Sequence, residues 1–222
     1  NKGFKWAMSE AATEDYPTTQ IDNGKTGKCV KLETRLTGDL GNMVGMPIAA
    51  GNLFIGSFDM LNAITNPLSA TRFGTPFYNK PLRLTGYYKY KAGEQFYENG
   101  EYTSRKDIFN IYAIFYDGVK YDSAGKGTDV TLDGNLPNQN YEHSSMVALA
   151  LVSNPQETEG DEWKFFDIPF DYQRYGKKID EARLAKGEYK IGIIFASSKD
   201  GATFEGAPGS TLLIDEVELI YE

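Results

Sequence analysis

Apolar positions along this chain come in short runs separated by glycine, asparagine, aspartate and proline. Runs at residues 3–8 (GFKWAM), 28–37 (KCVKLETRLT), 53–60 (LFIGSFDM) and 82–91 (LRLTGYYKYK) read as strands. So do 108–116 (IFNIYAIFY), 145–152 (SMVALALV), 164–170 (KFFDIPF), 189–196 (YKIGIIFA) and 212–221 (LLIDEVELIY). The turn signals include Asn23-Gly24, Ala92-Gly93 and Asp117-Gly118. Many short strands at regular spacing predict an antiparallel sandwich or barrel. Helix is scarce: residues 179–185 (IDEARLA) can make two turns before Gly187, and residues 59–65 a single short one.

Three of the runs, IFNIYAIFY, SMVALALV and YKIGIIFA, are apolar on both faces. A sandwich strand with one solvated face should alternate. One sheet is therefore expected to carry a cover on its outer side, made by loops or by the N-terminal segment, and the long segments 59–81 and 121–144 are candidates for it.

The last run alternates. Thr211, Leu213, Asp215, Val217, Leu219 and Tyr221 share one face, which is expected to point inward. That places Asp215 in an apolar row, where a carboxylate needs an ion pair, backbone N–H donors or a metal ion. An oxygen ligand for calcium is one outcome and a paired or N–H-bonded carboxylate the other.

In LRLTGYYKYK, Leu82, Leu84, Gly86, Tyr88 and Tyr90 form one face, and Arg83, Thr85, Tyr87, Lys89 and Lys91 the other. The second set has the composition of a shallow glycan platform. Sugar rings stack on aromatics, and their hydroxyls take charged and amide partners. It also suits an ordinary solvated face. Asn110, Tyr112 and Tyr116 share a face of the next run and are expected to extend the platform. Trp163, after a polar turn carrying Glu157, Glu159, Asp161 and Glu162, is either a further stacking ring or half-buried core. Gly86 leaves room for a close neighbour on the opposite side.

Composition narrows the partner. The chain has 222 residues, enough for one large domain spanning residues 1–222, and a formal net charge of −8 with no basic run. That excludes nucleic acid and an anionic membrane surface as natural partners. Aromatics make up 14% of the chain, 15 Tyr and 13 Phe against 2 Trp, which fits a neutral ligand or simply strand propensity. Cys29 and His143 stand alone in their kinds, too few for a zinc site and with no nucleophile motif around either. No G-x-S-x-G, phosphate loop, H-E-x-x-H or EF-hand register occurs. Glycoside hydrolysis needs only two carboxylates; Asp117 and Asp167 are the first to test.

Several blocks together resemble a known family. AAGNLF at 49–54, GTPF at 74–77, KPLRLTGYYKYKAG at 80–93 and FASSKDGATFEGAPGSTLLIDEVELIY at 195–221 are similar to the "putative carbohydrate metabolism domain" of surface lipoproteins in gut Gram-negative anaerobes. The resemblance implies an all-β, antiparallel two-sheet jelly-roll sandwich of galactose-binding-like type, related to carbohydrate-binding modules. It implies an extracytoplasmic protein, at the cell surface or outer membrane, whose only membrane contact is an N-terminal lipid anchor absent from these residues. The IDEVEL string is also similar to the last strand of calcium-containing carbohydrate-binding modules. That implies a structural calcium held by Asp215, with Glu10, Glu14 and Asp22 as candidate partners. The expected partner is an oligo- or polysaccharide, held by Arg83, Tyr87, Lys89, Asn110, Tyr112, Tyr116 and Trp163 without catalysis. A polysaccharide hydrolase and a scaffold or adhesion module without a small ligand are the alternatives.

Overall fold

A computed structural model describes residues 16–222 except 44, 60, 62 and 64. The strand expected at 3–8 lies outside the described residues. The sandwich is built from β1 (Thr18–Ile21), β2 (Cys29–Glu33), β3 (Asn52–Phe54), β4 (Thr75–Phe77) and β5 (Pro81–Lys91). It continues with β6 (Asn110–Asp117), β7 (Met146–Leu151), β8 (Lys164–Pro169), β9 (Tyr189–Ala196) and β10 (Thr211–Tyr221).

Sheet one has the order β1-β2-β10-β5-β8, and sheet two β7-β6-β9-β3, with β4 on the same edge of β9 as β3. Every pairing among these strands is antiparallel. From β5 onward the chain passes to sheet two for β6 and β7, back for β8, across for β9 and back for β10. The last strand thereby inserts between β2 and β5, while β9 lies beside β6. These interlocked Greek keys make a jelly roll, as expected.

Leu32, Leu84, Tyr88 and Leu212 of sheet one meet Ile111, Phe115, Ile191 and Phe195 of sheet two in the shared core. Burying side chains of this size contributes about 1.5–3 kcal/mol each. Gly86 does what its position suggests. A Cβ there would lie 2.6 Å from Cζ of Phe166, so the missing side chain is what lets that ring into the core.

The doubly apolar runs are explained by a cover over sheet two. Tyr112, Ile114, Tyr116, Met146 and Ile194 point away from the shared core into a second cluster. Phe73, Leu132, Leu136 and Tyr141 close over them, and all four come from the long segments 59–81 and 121–144. The expected helix near 179–185 is Glu181–Leu184, capped by Asp180, whose Oδ1 accepts from the N–H groups of Ala182 and Arg183.

Two expectations are corrected. Asn110, Tyr112 and Tyr116 do not extend an open platform, because they sit on the covered face of the other sheet, each 3% exposed or less. Asn110 Nδ2 donates to Tyr141 Oη at 2.9 Å, and Tyr116 Oη donates to the Phe73 carbonyl at 2.6 Å. A cleft of about 190 Å³ at the rim reaches Asn110 and Tyr112 only. Expecting the platform to continue there conflicted with expecting a cover, and packing decided for the cover.

The facing of the final strand is also reversed. Leu212 and Ile214 are buried, while Leu213 and Asp215 face outward. A bulge between Asp215 and Glu218, with Glu216 at φ 51°, then shifts the register so that Leu219 packs against the core. Strict alternation cannot survive a bulge, since one extra residue swaps the faces.

Candidate functional site

The outward face of sheet one collects the polar set of β5. Pairing with β8 sets Tyr87 opposite Phe165, Thr85 opposite Asp167 and Arg83 opposite Pro169. Alternation in KFFDIPF sends Phe166 and Ile168 inward and Phe165, Asp167 and Pro169 outward. The Tyr87 and Phe165 ring centroids lie 5.1 Å apart with planes tilted by 54°, and Phe165 is 54% exposed. Such a pair is a cross-strand contact whose upper edge remains open to a ligand. Phe165 was missed from sequence, although the same period-2 reading that selected Tyr87 selects it.

Charges flank the rings. Arg83 Nε donates to Asp167 Oδ1 at 2.6 Å, and this carboxylate raises the already high pKa of the guanidinium. Lys89 Nζ lies 5.1 Å from the ring centroid of half-buried Trp163 and 3.4 Å from Asp161 Oδ1. Lys25 Nζ sits 4.0 Å from the Tyr87 centroid. Arg83, Tyr87, Lys89 and Trp163 thus share one surface. Its lysines already occupy ring faces, contacts worth about 0.5–1 kcal/mol at exposed sites, which a ligand would displace.

Asp215 lies beside Tyr87 on this surface. Its Oδ2 accepts from the Thr26 N–H at 3.1 Å and its Oδ1 from the Glu216 N–H at 2.9 Å. Gly24 comes so close that a Cβ would be 2.7 Å from Oδ2. These donors suit an N–H-bonded carboxylate, one of the outcomes the sequence left open. Calcium wants six to eight oxygens, and among the described residues no group of three or more His, Cys, Asp and Glu could hold a metal. Asp22 instead faces Lys28 at 3.8 Å, and Glu10 and Glu14 lie outside the described residues. Chelation with EDTA is accordingly expected to leave the melting temperature unchanged. A drop of several degrees, restored by calcium, would show an ion bound to the folded state.

Asp117 and Asp167, the acids to test first, are each held by an arginine and not by each other. Both oxygens of Asp117 are taken by Arg183, at 2.6 and 2.8 Å, and Arg183 also holds Glu188 at 2.6 Å. Asp167 is engaged by Arg83. Among the described carboxyls with a shifted pKa, Asp107 alone is raised, chiefly by burial. It is 2% exposed and its oxygens accept four hydrogen bonds, so no substrate reaches it. A glycosidase acid needs both a raised pKa and contact with the leaving oxygen. The Cys29 thiol is buried, which together with nearby Asp215 pushes its pKa up and keeps it inert.

The fold is an all-β jelly roll whose first sheet carries an outward aromatic and charged face, and family membership makes it a carbohydrate-related domain. The chain belongs to the family described as "Putative carbohydrate metabolism domain", whose model matches residues 1–220. It is similar to the crystal structure of a putative glycoside hydrolase from Bacteroides vulgatus, with 54% identity and a TM-score of 0.86, covering 94% of this chain and 79% of that one. A putative glycoside hydrolase from Bacteroides thetaiotaomicron shares 50% identity and a TM-score of 0.86 over 98% of this chain, which spans 60% of that structure's length. A family 11 carbohydrate-binding module of Clostridium thermocellum aligns over 92% of this chain and 81% of its own, but at 13% identity and a TM-score of 0.36 the likeness is too slight to bear on function. No curated protein matches the chain.

Proposed function

We propose that this chain is a non-catalytic glycan-binding module of a carbohydrate-utilisation protein, acting outside the cytoplasm. Tyr87, Phe165 and Trp163 supply ring surfaces for sugar faces. Arg83, Asp167 and Lys89 supply donors and acceptors for hydroxyls. The observation that carries the reading is the outward-facing Tyr87–Phe165 pair, flanked by a guanidinium–carboxylate bridge, with Phe165 open to solvent and Tyr87 overlaid by the Lys25 side chain, which a ligand would displace. Membership in a carbohydrate-related family agrees with it.

The two similar Bacteroides proteins are named as putative glycoside hydrolases, which makes hydrolysis the second reading. Against it stands the state of the acids: the one with a raised pKa is sealed, and Asp117 and Asp167 are each bound to an arginine. Tyr87→Ala and Phe165→Ala are expected each to weaken retention by a soluble neutral polysaccharide in native affinity gels about tenfold. Melting should change little, since both side chains face outward. Reducing-sugar assays are expected to stay flat. Binding unaffected by both substitutions would remove the platform, and sustained release of reducing ends by the purified chain would establish the hydrolase.

A further inference from the structure

A second surface lies at one end of the sandwich, where β2, β5 and β9 finish and β6 and β10 begin. There a hairpin pairs Phe96–Glu98 with Glu101–Thr103. Its turn is Asn99-Gly100, with φ 51° and 88°, the left-handed pair that a two-residue hairpin of this kind requires. The turn sets Tyr97 directly opposite Tyr102, with ring centroids 5.2 Å apart and planes at 74°. Two rings near a right angle make a floor and a wall. Tyr102 is 50% exposed.

The hairpin is anchored from behind. The Tyr97 N–H donates to the Gly206 carbonyl at 2.9 Å, and the Gly206 N–H donates back to Tyr97 at 3.1 Å. A Cβ on Gly206 would lie 2.6 Å from Ser198 Oγ, so the segment is held tightly. Two residues earlier Phe204 adopts φ 62°. A bulky side chain in that region is strained, and such strain concentrates where a surface has a task.

Between the hairpin, residues 36–47 and residues 203–205 runs a groove of about 660 Å³. Ligand sites span about 300–1,000 Å³. Leu36, Tyr97, Tyr102 and Phe204 give it apolar surface, and Asn42 and Asn99 add amides. Glu205 is the one charged residue of its lining among the described residues. Arg105 takes up two of the neighbouring carboxylates, bridging Glu98 and Asp200, and lies 4.3 Å over the Phe96 ring, while Glu101 is exposed on the hairpin. Aromatic walls, amides that both donate and accept, phenol hydroxyls and little free charge match a neutral saccharide. They do not match a phosphate, a nucleic acid or a charged peptide.

We infer that this end groove is a second glycan site, taking a short stretch of a neutral polysaccharide independently of the platform on sheet one. The chain then grips one polymer at two places, and the two affinities reinforce each other where one strand spans both.

Native affinity electrophoresis tests this in gels containing, separately, a β-1,4-glucan, a β-1,4-mannan, a β-1,4-galactan and an α-glucan. Tyr102→Ala is expected to weaken retention about tenfold in the gel that retains the parent chain, with an unchanged melting temperature. Asn99→Gly keeps the turn, which accepts glycine there, and removes one amide; it is expected to weaken retention severalfold. Tyr87→Ala with either end-groove substitution should lose more than each alone. If Tyr87→Ala abolishes retention while Tyr102→Ala and Asn99→Gly change nothing, the groove is not a glycan site and the platform stands. The reverse pattern keeps the groove and removes the platform. Retention by none of the four polymers overturns both.

Discussion

Replacing Asp107 with asparagine is expected to lower stability by about 2–4 kcal/mol, a fall in melting temperature of roughly 10 °C for a chain of this length. Asp107 is the centre of a sealed polar knot at the end of the sandwich. Its Oδ2 accepts from Ser198 Oγ at 2.5 Å, Ser210 Oγ at 2.7 Å and the Ala207 N–H at 2.8 Å, and its Oδ1 from the Ile108 N–H at 2.9 Å. Ser198 Oγ in turn meets Thr34 Oγ1 at 2.5 Å, and Thr34 meets Ser197 Oγ, which accepts from the Gly51 N–H. All these side chains are buried. An asparagine keeps the shape but turns one acceptor into a donor facing donors, and a buried group left without a partner costs its full desolvation.

The pH dependence has a definite sign. Burial raises the carboxyl pKa of Asp107 in the folded chain above its value in the unfolded one. The folded state then binds the proton more readily, so this group's contribution to stability is greatest below about pH 4. It declines as pH rises through the folded pKa. The stability of the parent minus that of Asp107→Asn should therefore fall across this window in denaturant titrations at stepped pH. A flat difference would mean that the carboxyl titrates alike in the folded and unfolded chains, and one that rises with pH would mean that its four donors outweigh burial and depress the folded pKa. Because Ala207 adjoins Gly206, the same knot holds the wall behind the Tyr97–Tyr102 hairpin.

Gly86→Ala is expected to cost about 1–3 kcal/mol, near the upper end because the core has nowhere to yield. The added methyl would sit 2.6 and 2.9 Å from two ring atoms of Phe166 and 3.3 Å from the Asp215 carbonyl oxygen. Phe166 is 5% exposed and packs with Tyr88, so its ring cannot swing into solvent without opening the core. Shrinking the neighbour should rescue the variant. Chemical denaturation of Gly86→Ala combined with Phe166→Leu is expected to show no further loss beyond Phe166→Leu alone. Strict additivity of the two costs would mean that ring and methyl never meet.

Much of this molecule could be read in one dimension. Period-2 alternation separated Leu84, Tyr88 and Tyr90 from Arg83, Tyr87 and Lys89 and assigned each set its correct side. Apolar runs too rich for a half-solvated strand announced a covered sheet, and the two long segments able to cover it were identifiable by length alone. Gly86 was legible as a close approach because only glycine removes a side chain from an otherwise regular face. The blocks resembling a family implied the jelly-roll class.

Other features depended on which strands become neighbours. Asn110, Tyr112 and Tyr116 have the same composition as a binding face, and only the cover from residues 59–81 and 121–144 turns that face into core. Phe165 joins Tyr87 because β8 pairs with β5, a contact 78 positions apart along the chain. The bulge at Asp215 cannot be seen in an alternating string, and it reversed the facing of the residues before it. Local periodicity is a property of the backbone, so sequence alone determined the strands and most of their two-sided character. Whether a given side meets water, a ligand or another layer is set by long-range pairing and burial, and that was decided only when the two sheets closed on each other.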